Sequence, residues 1–406
     1  MQDSSPPHEW TAVFSRNYLV TTGTSFLVMI AYYLLLVISG PYSIETFHVT
    51  PSLAGLVAGI MLLGCLLGRF ITGRVAKPRR YKLVLFAGIV VYSASIGAYL
   101  LAGDLYFLLA VRFMSGVGVG IIGTVTGSMI VYISPPQRLG LAVSIFGASS
   151  TVALGLGPFF GIFLKQYLNY QQLFLCCLGF GLLGFLMALT ISVPPPTDEK
   201  EEAKAPASLF KLDEYIAYAP IPIAFVTLLV STASGNIQAF LSLHAVETGL
   251  TASASTFFLV YAILSGGTRP WMGHLFDRKG ENVITYPSIC AIAAGLAVLA
   301  LADSLPMLLL AAVLLGFGVG NYQTTAQVVS VRLTASHRRS QAISTHFIFV
   351  DLGIGLGPFL LGKLVPMYGY RGLYLACAVL AVVCLPLYFL VHGRKYKRAR
   401  ASVPTP

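Results

Sequence analysis

Long apolar runs, separated by short polar connections, are the feature of this sequence that most restricts its fold. A helix needs about 20 mostly apolar residues to cross the hydrocarbon core of a bilayer, and the runs are of that length. Hydrophobic residues make up 56% of the chain and charged residues only 10%, whereas an ordinary soluble domain carries about 25% charged residues. Such a chain cannot cover itself with a hydrated surface, so the sequence predicts an integral membrane protein.

The length of the chain sets the number of crossings. At roughly 34 residues for a spanning helix and its loop, 406 residues hold about twelve crossings and leave no room for a sizeable soluble domain. An even number of crossings places both chain ends on the same side of the membrane. The predicted segments lie at about 17–42, 52–76, 82–102, 105–133, 139–165, 170–193, 216–243, 250–276, 283–303, 305–332, 339–364 and 370–393.

Basic residues indicate on which side of the membrane the two chain ends lie. The net charge is +11, but the basic residues form short clusters between apolar runs, which indicates membrane topology and not a nucleic-acid partner. The connections between segments lie alternately on the two sides of the membrane, and those on one side hold only Lys165, Lys363 and Arg371. By the positive-inside rule we expect both termini in the cytoplasm and the protein in the cytoplasmic membrane. The basic residues on that side are Arg16, Arg74, Lys77, Arg79, Arg80, Lys82, Arg138, Arg278, Lys279, Arg338, Arg339 and those of the tail at 394–400.

The longest polar stretch lies between the sixth and seventh segments and reads VPPPTDEKEEAKAPASLFKLDEY. Its composition is typical of a solvated linker, with a regulatory docking segment as the alternative. We therefore predict a six-helix bundle at 1–192, a cytoplasmic linker at 193–215, a second six-helix bundle at 216–393 and a basic cytoplasmic tail at 394–406.

The chain has six cysteines, all within apolar stretches and without the paired spacing of a zinc site outside the membrane. We interpret them as buried small apolar residues and expect no disulfide, no metal site and no cofactor. The first apolar run is too long for a cleavable signal sequence. We find no nucleophile–base set or phosphate-binding loop, so an enzyme is the least expected class.

An internal repeat relates the two halves of the chain. The sequence matches itself at one displacement, 200 residues, in segments 2 and 8, 4 and 10, and 5 and 11. The shared displacement argues against chance and predicts two similar six-helix bundles in the same orientation, the parallel repeat of a two-lobed transporter. The first-half members of the matched pairs are Arg69, Gly73, Gly116, Gly118, Val119, Gly120, Thr124, Arg138, Ala142, Ser144, Gly155, Leu156, Gly157, Pro158 and Phe159.

Three motifs resemble those of the major facilitator superfamily. The stretch Gly273-His-Leu-Phe-Asp277-Arg278-Lys279-Gly280 resembles its signature between helices 8 and 9. Arg112 followed by Gly116 resembles its helix-4 arginine motif. The helix-5 motif of its drug–proton antiporter branch is similar to Gly353-x-x-x-Gly357-Pro358 and Ala153-x-x-x-Gly157-Pro158-x-x-Gly161.

Segment 11 is also similar to the arabinose-efflux-like group of this superfamily, on the residues Phe349-Val-Asp351-Leu-Gly-x-Gly-x-Gly-Pro358. The resemblance covers the whole chain. It implies an all-α membrane fold of twelve helices in two pseudo-symmetric six-helix bundles, and a transport function.

Asp351 is the only acidic residue deep in the predicted segments. It lies about twelve residues after the start of its segment, or roughly 18 Å along a helix, near the midplane of a core about 30 Å thick. An ionised carboxylate there is costly, so it must be paired, hydrated or protonated part of the time. We hypothesise that Asp351 couples transport to protons or substrate; a simple hydrogen bond to a neighbouring helix is the alternative.

Two further side chains are candidates for proton coupling. Arg112 lies inside segment 4, where an always-protonated guanidinium needs a partner. The resemblance implies a role in proton coupling, with fixed pairing to backbone carbonyls and polar groups as the alternative. His346 can also carry protons, but we expect it about 140° around the helix from Asp351. A packed core histidine is the alternative.

The resemblance implies that helices 1, 4, 7 and 10 line a central cavity, and here segments 1, 7 and 10 carry neutral polar side chains. Such a lining favours a polar, uncharged or zwitterionic solute over a bulky cation; hydrogen bonding between helices is the alternative interpretation of each residue. The candidate substrate-binding residues are Tyr32, Tyr33, Asn236, Gln238, Asn321, Gln323 and Gln327.

Candidate gating residues come from the repeated motifs. Pro158 and Pro358 each remove a helical hydrogen bond at matched depth, and glycines let helices approach closely, whether for sliding or for plain packing. Asp277 is expected at an inner gate near Arg138, with a weak surface ion pair as the alternative. The full set is Arg69, Gly73, Arg138, Gly157, Pro158, Arg269, Gly273, Asp277, Arg278, Gly357 and Pro358.

Together these features predict a secondary transporter that moves a small organic solute by alternating access, with proton-coupled efflux as the preferred mode. We expect it to work as a monomer with three partners, namely a small-molecule substrate, protons and the lipid bilayer. The alternatives are a proton-coupled or facilitative importer of a sugar or organic acid, and a transporter-like membrane sensor.

Overall fold

The computed structural model describes residues 15–135, 139–192, 217–334 and 339–394. Every regular element in these ranges is a helix. The α-helices are α1 Arg16–Phe47, α2 Pro51–Val75, α3 Tyr81–Tyr99, α4 Leu105–Ile133, α5 Leu139–Lys165, α6 Tyr170–Leu189, α7 Ile221–Glu247, α8 Ala254–Gly267, α9 Arg269–Lys279, α10 Asn282–Ala300, α11 Leu305–Arg332, α12 Arg339–Leu361 and α13 Val365–Tyr388.

Ten helical stretches in the described part of the chain are long and apolar enough to cross a membrane. One of them, Gln341–Gly393, covers α12 from its third residue onward and all of α13, and the two helices are joined by a short 3₁₀ turn. Helix α8 is apolar but shorter than the other stretches. An all-helical membrane protein is therefore confirmed, while the count of twelve crossings stays a prediction.

The eighth predicted segment is not one continuous helix, because α8 ends at Gly267 and α9 begins at Arg269. Pro270 lies in the first turn of α9 and has no backbone N–H to donate to the carbonyl of Gly266. The N–H of Thr268 instead contacts the carbonyls of Leu264 and Gly266. The predicted segment at 250–276 is therefore formed by two helices, α8 and α9, that meet at Thr268.

Polar side chains define two of the helix starts. The carboxylate of Asp104 accepts a hydrogen bond from the N–H of Phe107 at 2.9 Å and caps α4. Asn169 and Gln172 exchange hydrogen bonds in a capping box at the start of α6. Such caps satisfy N–H groups that have no partner within the helix.

The chain forms two compact units. The first unit has three parts: the described residues up to Leu35, the range Leu63–Gly157, and the described residues from Tyr167 to the end of the first half of the chain. Within this unit α3 packs against α4 and α6. The second contains Leu36–Leu62, Pro158–Gln166 and the described residues from Ala217 onward; within it α12 packs against α7, and α10 against α11 and α13. Helices α1, α2 and α5 are each divided between the units, so a boundary at the linker stays a sequence-based prediction.

The internal repeat recurs in the packing of small residues. A methyl group on Gly118 would come within 2.7 Å of the Tyr92 backbone nitrogen, and one on Gly318 within 2.7 Å of the Ile292 side chain. The second pair of residues is the first pair displaced by 200 positions. The same displacement relates the close contact of Gly120 with Cys65 to that of Gly320 with Ser265.

Candidate functional site

Asp351 lies in the middle of α12 and is only 8% exposed. The helix buries it because two of its faces are covered by other helices of the same compact unit. One covered face of α12 carries Gly353 and Gly357 and contacts α7. A methyl group on Gly353 would come within 2.7 Å of the Ser231 side chain, and one on Gly357 would come within 2.8 Å of the Thr232 carbonyl oxygen.

The other covered face of α12 crosses α2. A methyl group on Gly59 would overlap the carbonyl oxygen of Gly355, and one on Gly55 would overlap that of Pro358. The hydroxyl of Ser52 donates to the Phe359 carbonyl at 2.8 Å. The two backbones are therefore in direct contact over two turns, and we call the Gly55, Gly59, Gly355 and Pro358 contact the glycine crossing.

Asp351 shares a face with the glycine crossing. Gly355 and Pro358 follow it by four and seven residues, which is the spacing of one helix face. At a rise of 1.5 Å per residue, Asp351 precedes Gly355 by about 6 Å, or one turn. The single deep carboxylate of the predicted segments is thus buried next to a direct backbone contact between two helices of its unit.

Arg112 is fully buried on α4 in the first compact unit. Its Nη1 donates to the Leu35 carbonyl oxygen at 3.4 Å and to the Tyr99 hydroxyl oxygen at 3.3 Å. The Tyr99 ring packs against Phe174, with 5.1 Å between ring centroids. These contacts are of the kind expected from fixed pairing, and a role of Arg112 in proton coupling stays a prediction.

His346 is 1% exposed on α12, and its ring meets that of Phe347 edge-on at 5.5 Å. Its Nδ1 atom has no hydrogen-bond partner among the described residues. These contacts are compatible with a packed core histidine, and a role of His346 in proton coupling stays a prediction.

The candidate substrate-binding residues fall into two groups. Asn236 and Asn321 are buried at 0% and 1% exposure, and each donates from Nδ2 to the carbonyl four residues earlier in its helix. Asn321 also donates to the Thr268 hydroxyl at 2.9 Å, which directs it toward the interruption between α8 and α9. Tyr32 is buried, with its ring 4.7 Å from that of Tyr33. Half-buried positions are held by Tyr33, Gln238, Gln323 and Gln327.

Gln323 and Gln327 are four residues apart in α11 and share one helix face. Asn321 precedes Gln323 by two residues and therefore points about 200° away from it. The structure places the glutamines together and directs Asn321 to a different neighbour.

The candidate gating residues occupy different environments. Gly157 and Pro158 in α5, and Gly357 and Pro358 in α12, are buried. Arg69 and Arg269 are half-buried, and Gly73 and Arg278 are exposed. Arg138 lies outside the described residues, as do the side chains at Gly273 and Asp277, so the expected inner gate stays a prediction.

Sequence analysis missed a buried charged cluster at one end of the second unit. Glu281 is 4% exposed; its Oε1 lies 2.8 Å from His392 Nε2 and its Oε2 lies 3.6 Å from Arg332 Nη1. Asn282 donates to the Gly393 carbonyl at 3.1 Å. The only sequence signal was an acidic residue at the start of a segment, because its histidine partner is 111 residues away.

Comparisons with known proteins give one family. The family model described as Major Facilitator Superfamily matches residues 21–304 and 287–406. An uncharacterized MFS-type transporter of Methanocaldococcus jannaschii is 24% identical over 373 residues, which cover 91% of this chain and 96% of that protein.

Two solved structures show the same fold. A crystal structure of a mutant of the nucleoside transporter NupG superimposes with a TM-score of 0.77 at 15% identity and covers 93% of this chain and 100% of that one. A bacterial homolog of the human lysosomal transporter Spinster, in an inward-facing and unoccupied conformation, gives 0.75 at 16% identity and covers 95% and 98%. With the helical fold and the matched family model together, the chain belongs to the major facilitator superfamily and is a membrane transporter, not an enzyme.

Proposed function

We propose that the chain crosses the cytoplasmic membrane twelve times, as two six-helix bundles, with both termini in the cytoplasm. Ten apolar helical stretches support this count when Gln341–Gly393 is taken as two crossings and the short α8, continued by α9, as one more. The concentration of basic residues in alternate connections supports the orientation. In this arrangement the chain works as a monomer that alternates access to a central cavity.

We further propose that transport is coupled to protons and exports a small organic solute in exchange for them. The observation that carries this proposal is the burial of Asp351 one turn from the glycine crossing. Burial in a low-dielectric environment penalises an ionised carboxylate, while a neutral carboxyl is tolerated. Closure of the crossing is therefore favoured when Asp351 is protonated, and loss of the proton favours an arrangement that lets water reach it.

The solute class follows from the neutral side chains on α7 and α11. Gln238, Gln323 and Gln327 are half-buried and offer amide donors and acceptors without charge. A polar, uncharged or zwitterionic solute suits such groups. Nucleosides belong in a substrate screen because NupG, which shares the fold, is a nucleoside transporter.

The experiment has two steps. Thermal unfolding of the purified protein against nucleosides, sugars, amino acids, drugs and metallophores identifies a stabilising solute. Uptake of that solute into liposomes is then measured with and without a pH gradient. Asp351→Asn, which keeps the side chain neutral, should abolish gradient-driven accumulation and retain exchange of labelled for unlabelled solute.

Asp303→Asn is the matched control, because Asp303 pairs with Arg371 at an exposed position of the same unit. It should transport like the wild type. Unchanged gradient-driven flux in Asp351→Asn would show that the Asp351 carboxyl does not couple transport to protons. Solute movement in the same direction as protons would establish symport and overturn export by antiport.

A further inference from the structure

The first compact unit presents two basic residues at the start of α3. Arg80 is exposed and Lys77 is half-buried, and the Arg80 N–H donates to the Lys77 carbonyl at 2.7 Å. A turn closed by such a bond keeps its first and fourth Cα atoms within about 7 Å of each other. Neither side chain forms an ion pair with a described residue. We call Lys77 and Arg80 the basic turn.

The charges near the basic turn do not offset it. Lys82, in the first turn of α3, donates from Nζ to the carbonyls of Leu189 and Ile191 at 2.9 and 2.8 Å, where its charge stabilises the end of α6. Among the described residues of the unit the only acidic side chain is Asp104. It follows the other end of α3, a helix of 19 residues or roughly 28 Å. The described part of the unit is therefore net positive at the start of α3.

The second unit balances its charges at the corresponding place. Its buried cluster contains Glu281, which lies close to Arg332 and His392. A displacement of 200 residues relates these three positions to Tyr81, Tyr132 and Ser192. The two tyrosines form an aromatic contact, with 5.9 Å between ring centroids. The equivalent positions of the first unit thus carry no charge.

The basic turn itself is not repeated in the second half. The same displacement relates Lys77 to Asp277 and Arg80 to Gly280. The second half therefore has an acidic residue and a glycine where the first half has two cations. The excess of positive charge distinguishes the first half from the second.

An apolar stripe on α3 continues from Arg80 toward the middle of the helix. Leu83, Ala87 and Val90 follow Arg80 by three, seven and ten residues, which is the spacing of one helix face. Leu83 is 68% exposed and Val90 is 55% exposed. Because α3 belongs to a stretch long and apolar enough to cross a membrane, such an exposed apolar face is suited to contact with acyl chains. From Arg80 to Val90 the stripe is roughly 15 Å long, about half the thickness of the hydrocarbon core.

We propose that the start of α3 binds an anionic phospholipid, with the headgroup phosphate on the basic turn and an acyl chain along the apolar stripe. A guanidinium matches the geometry of a phosphate and can donate two parallel hydrogen bonds to it. A lipid fits better than a free anion, because Arg80 and the apolar stripe lie on one face of one helix. The proposal needs α3 to cross the membrane, but it does not depend on the orientation of the chain or on proton coupling.

Native mass spectrometry of the purified, delipidated protein tests the site. We compare phosphatidylglycerol, which has a net negative charge, with phosphatidylcholine, which is neutral overall, and expect tighter binding of phosphatidylglycerol. A basic residue near an anionic lipid contributes about 1 kcal/mol, so Arg80→Gln should weaken phosphatidylglycerol binding about fivefold. Lys77→Gln combined with Arg80→Gln should weaken it about 25-fold. Binding of phosphatidylcholine should not change.

Arg371→Gln is the matched control, because Arg371 is an exposed arginine whose charge is already paired with Asp303. It should bind phosphatidylglycerol like the wild type. Equal affinity of the wild type for the two lipids, or unchanged phosphatidylglycerol affinity in the double variant, overturns the proposal.

A phosphatidylglycerol with a photoreactive group in its acyl chain locates the bound lipid. It should label α3 between Leu83 and Val90 more strongly than α10 between Val283 and Cys290, which are the corresponding exposed positions without the two cations. Equal labelling of the two helices also overturns the proposal.

The acidic run DEKEE at 198–202 of the predicted linker is the competing occupant of the basic turn. Replacing its four acidic residues by the corresponding amides should leave phosphatidylglycerol affinity unchanged. A marked rise would assign the basic turn to the linker and overturn the lipid site. Asp351→Asn should bind phosphatidylglycerol like the wild type, so failure of this site and failure of proton coupling are distinguishable.

Discussion

Gly59 of α2 and Gly355 of α12 bring two helix backbones into direct contact, because a methyl group on Gly59 would overlap the carbonyl oxygen of Gly355. Gly55 and Pro358 repeat the contact one turn away. Glycine lets helices approach this closely in a membrane, where packing and not hydrophobicity drives helix association. Asp351 lies on the same face as this contact, which is why we propose that its protonation and the closure of the crossing are coupled.

Replacing Gly59 by alanine should open the glycine crossing. The added methyl group meets backbone atoms, which cannot rotate away, and overpacking of this kind costs about 1–3 kcal/mol. Spin labels at Thr50 and Leu360, exposed positions near the ends of α2 and α12, should report a longer and broader distance distribution in Gly59→Ala than in the unsubstituted background.

Gly97→Ala is the control for this substitution, because a methyl group at Gly97 meets no atom within 4 Å. It should leave the label distances unchanged. An unchanged distribution in Gly59→Ala would show that α2 and α12 are not held by this contact.

Removing the charge of Glu281 should destabilise the second unit. Glu281→Gln leaves His392 and Arg332 without their carboxylate, and breaking a buried ion pair by removing one partner costs about 3–5 kcal/mol. Because Arg332 is half-exposed, we expect a loss of unfolding free energy near the lower end, about 3 kcal/mol, measured as a drop in Tm of the purified protein. Glu247→Gln, at an exposed position at the end of α7, should have no measurable effect; equal Tm values for the two variants would contradict the prediction.

Asp104→Ala should cost about 1 kcal/mol of stability, because it removes the cap of α4. The repeat supplies a matched control in Ser304, which precedes α11 at the corresponding position but makes no side-chain capping bond. Ser304→Ala should therefore unfold like the wild type. A similar fall in Tm for both variants would show that the Asp104 contact does not stabilise the helix.

His346→Phe should retain proton-driven transport in liposomes. The histidine is buried against Phe347, and phenylalanine occupies the corresponding position of the first half, at Phe146. If flux in His346→Phe lost its dependence on the pH gradient while solute exchange continued, the histidine would belong to the proton pathway and the core interpretation would fail.

Several features could be predicted from sequence because each depends on local composition or on spacing along the chain. Apolar runs of sufficient length predicted helices close to those observed, since a helix in lipid satisfies its own backbone hydrogen bonds. The displacement of 200 residues predicted equivalent packing, and Gly118 and Gly318 meet corresponding positions of their neighbours.

The candidate site was predictable only in part. Asp351 could be found because a carboxylate deep in an apolar run is rare and expensive. Its neighbourhood could not, because Gly59 and Gly355 are distant in sequence and no periodicity relates them. The different environments of Asn321 and Gln323 could not be predicted either. Their side chains point about 200° apart around α11, but the neighbour that each one meets depends on how α11 packs.

The sequence by itself determined that this chain is a helical membrane transporter built on a repeat, because hydropathy, charge placement and spacing are properties of consecutive residues. Only the tertiary structure decided which backbones touch at the glycine crossing, how Glu281 finds His392 and which carbonyls Lys82 meets at the end of α6. Those relationships depend on helix rotation and contact between distant segments, which burial and van der Waals packing settle once the helices come together.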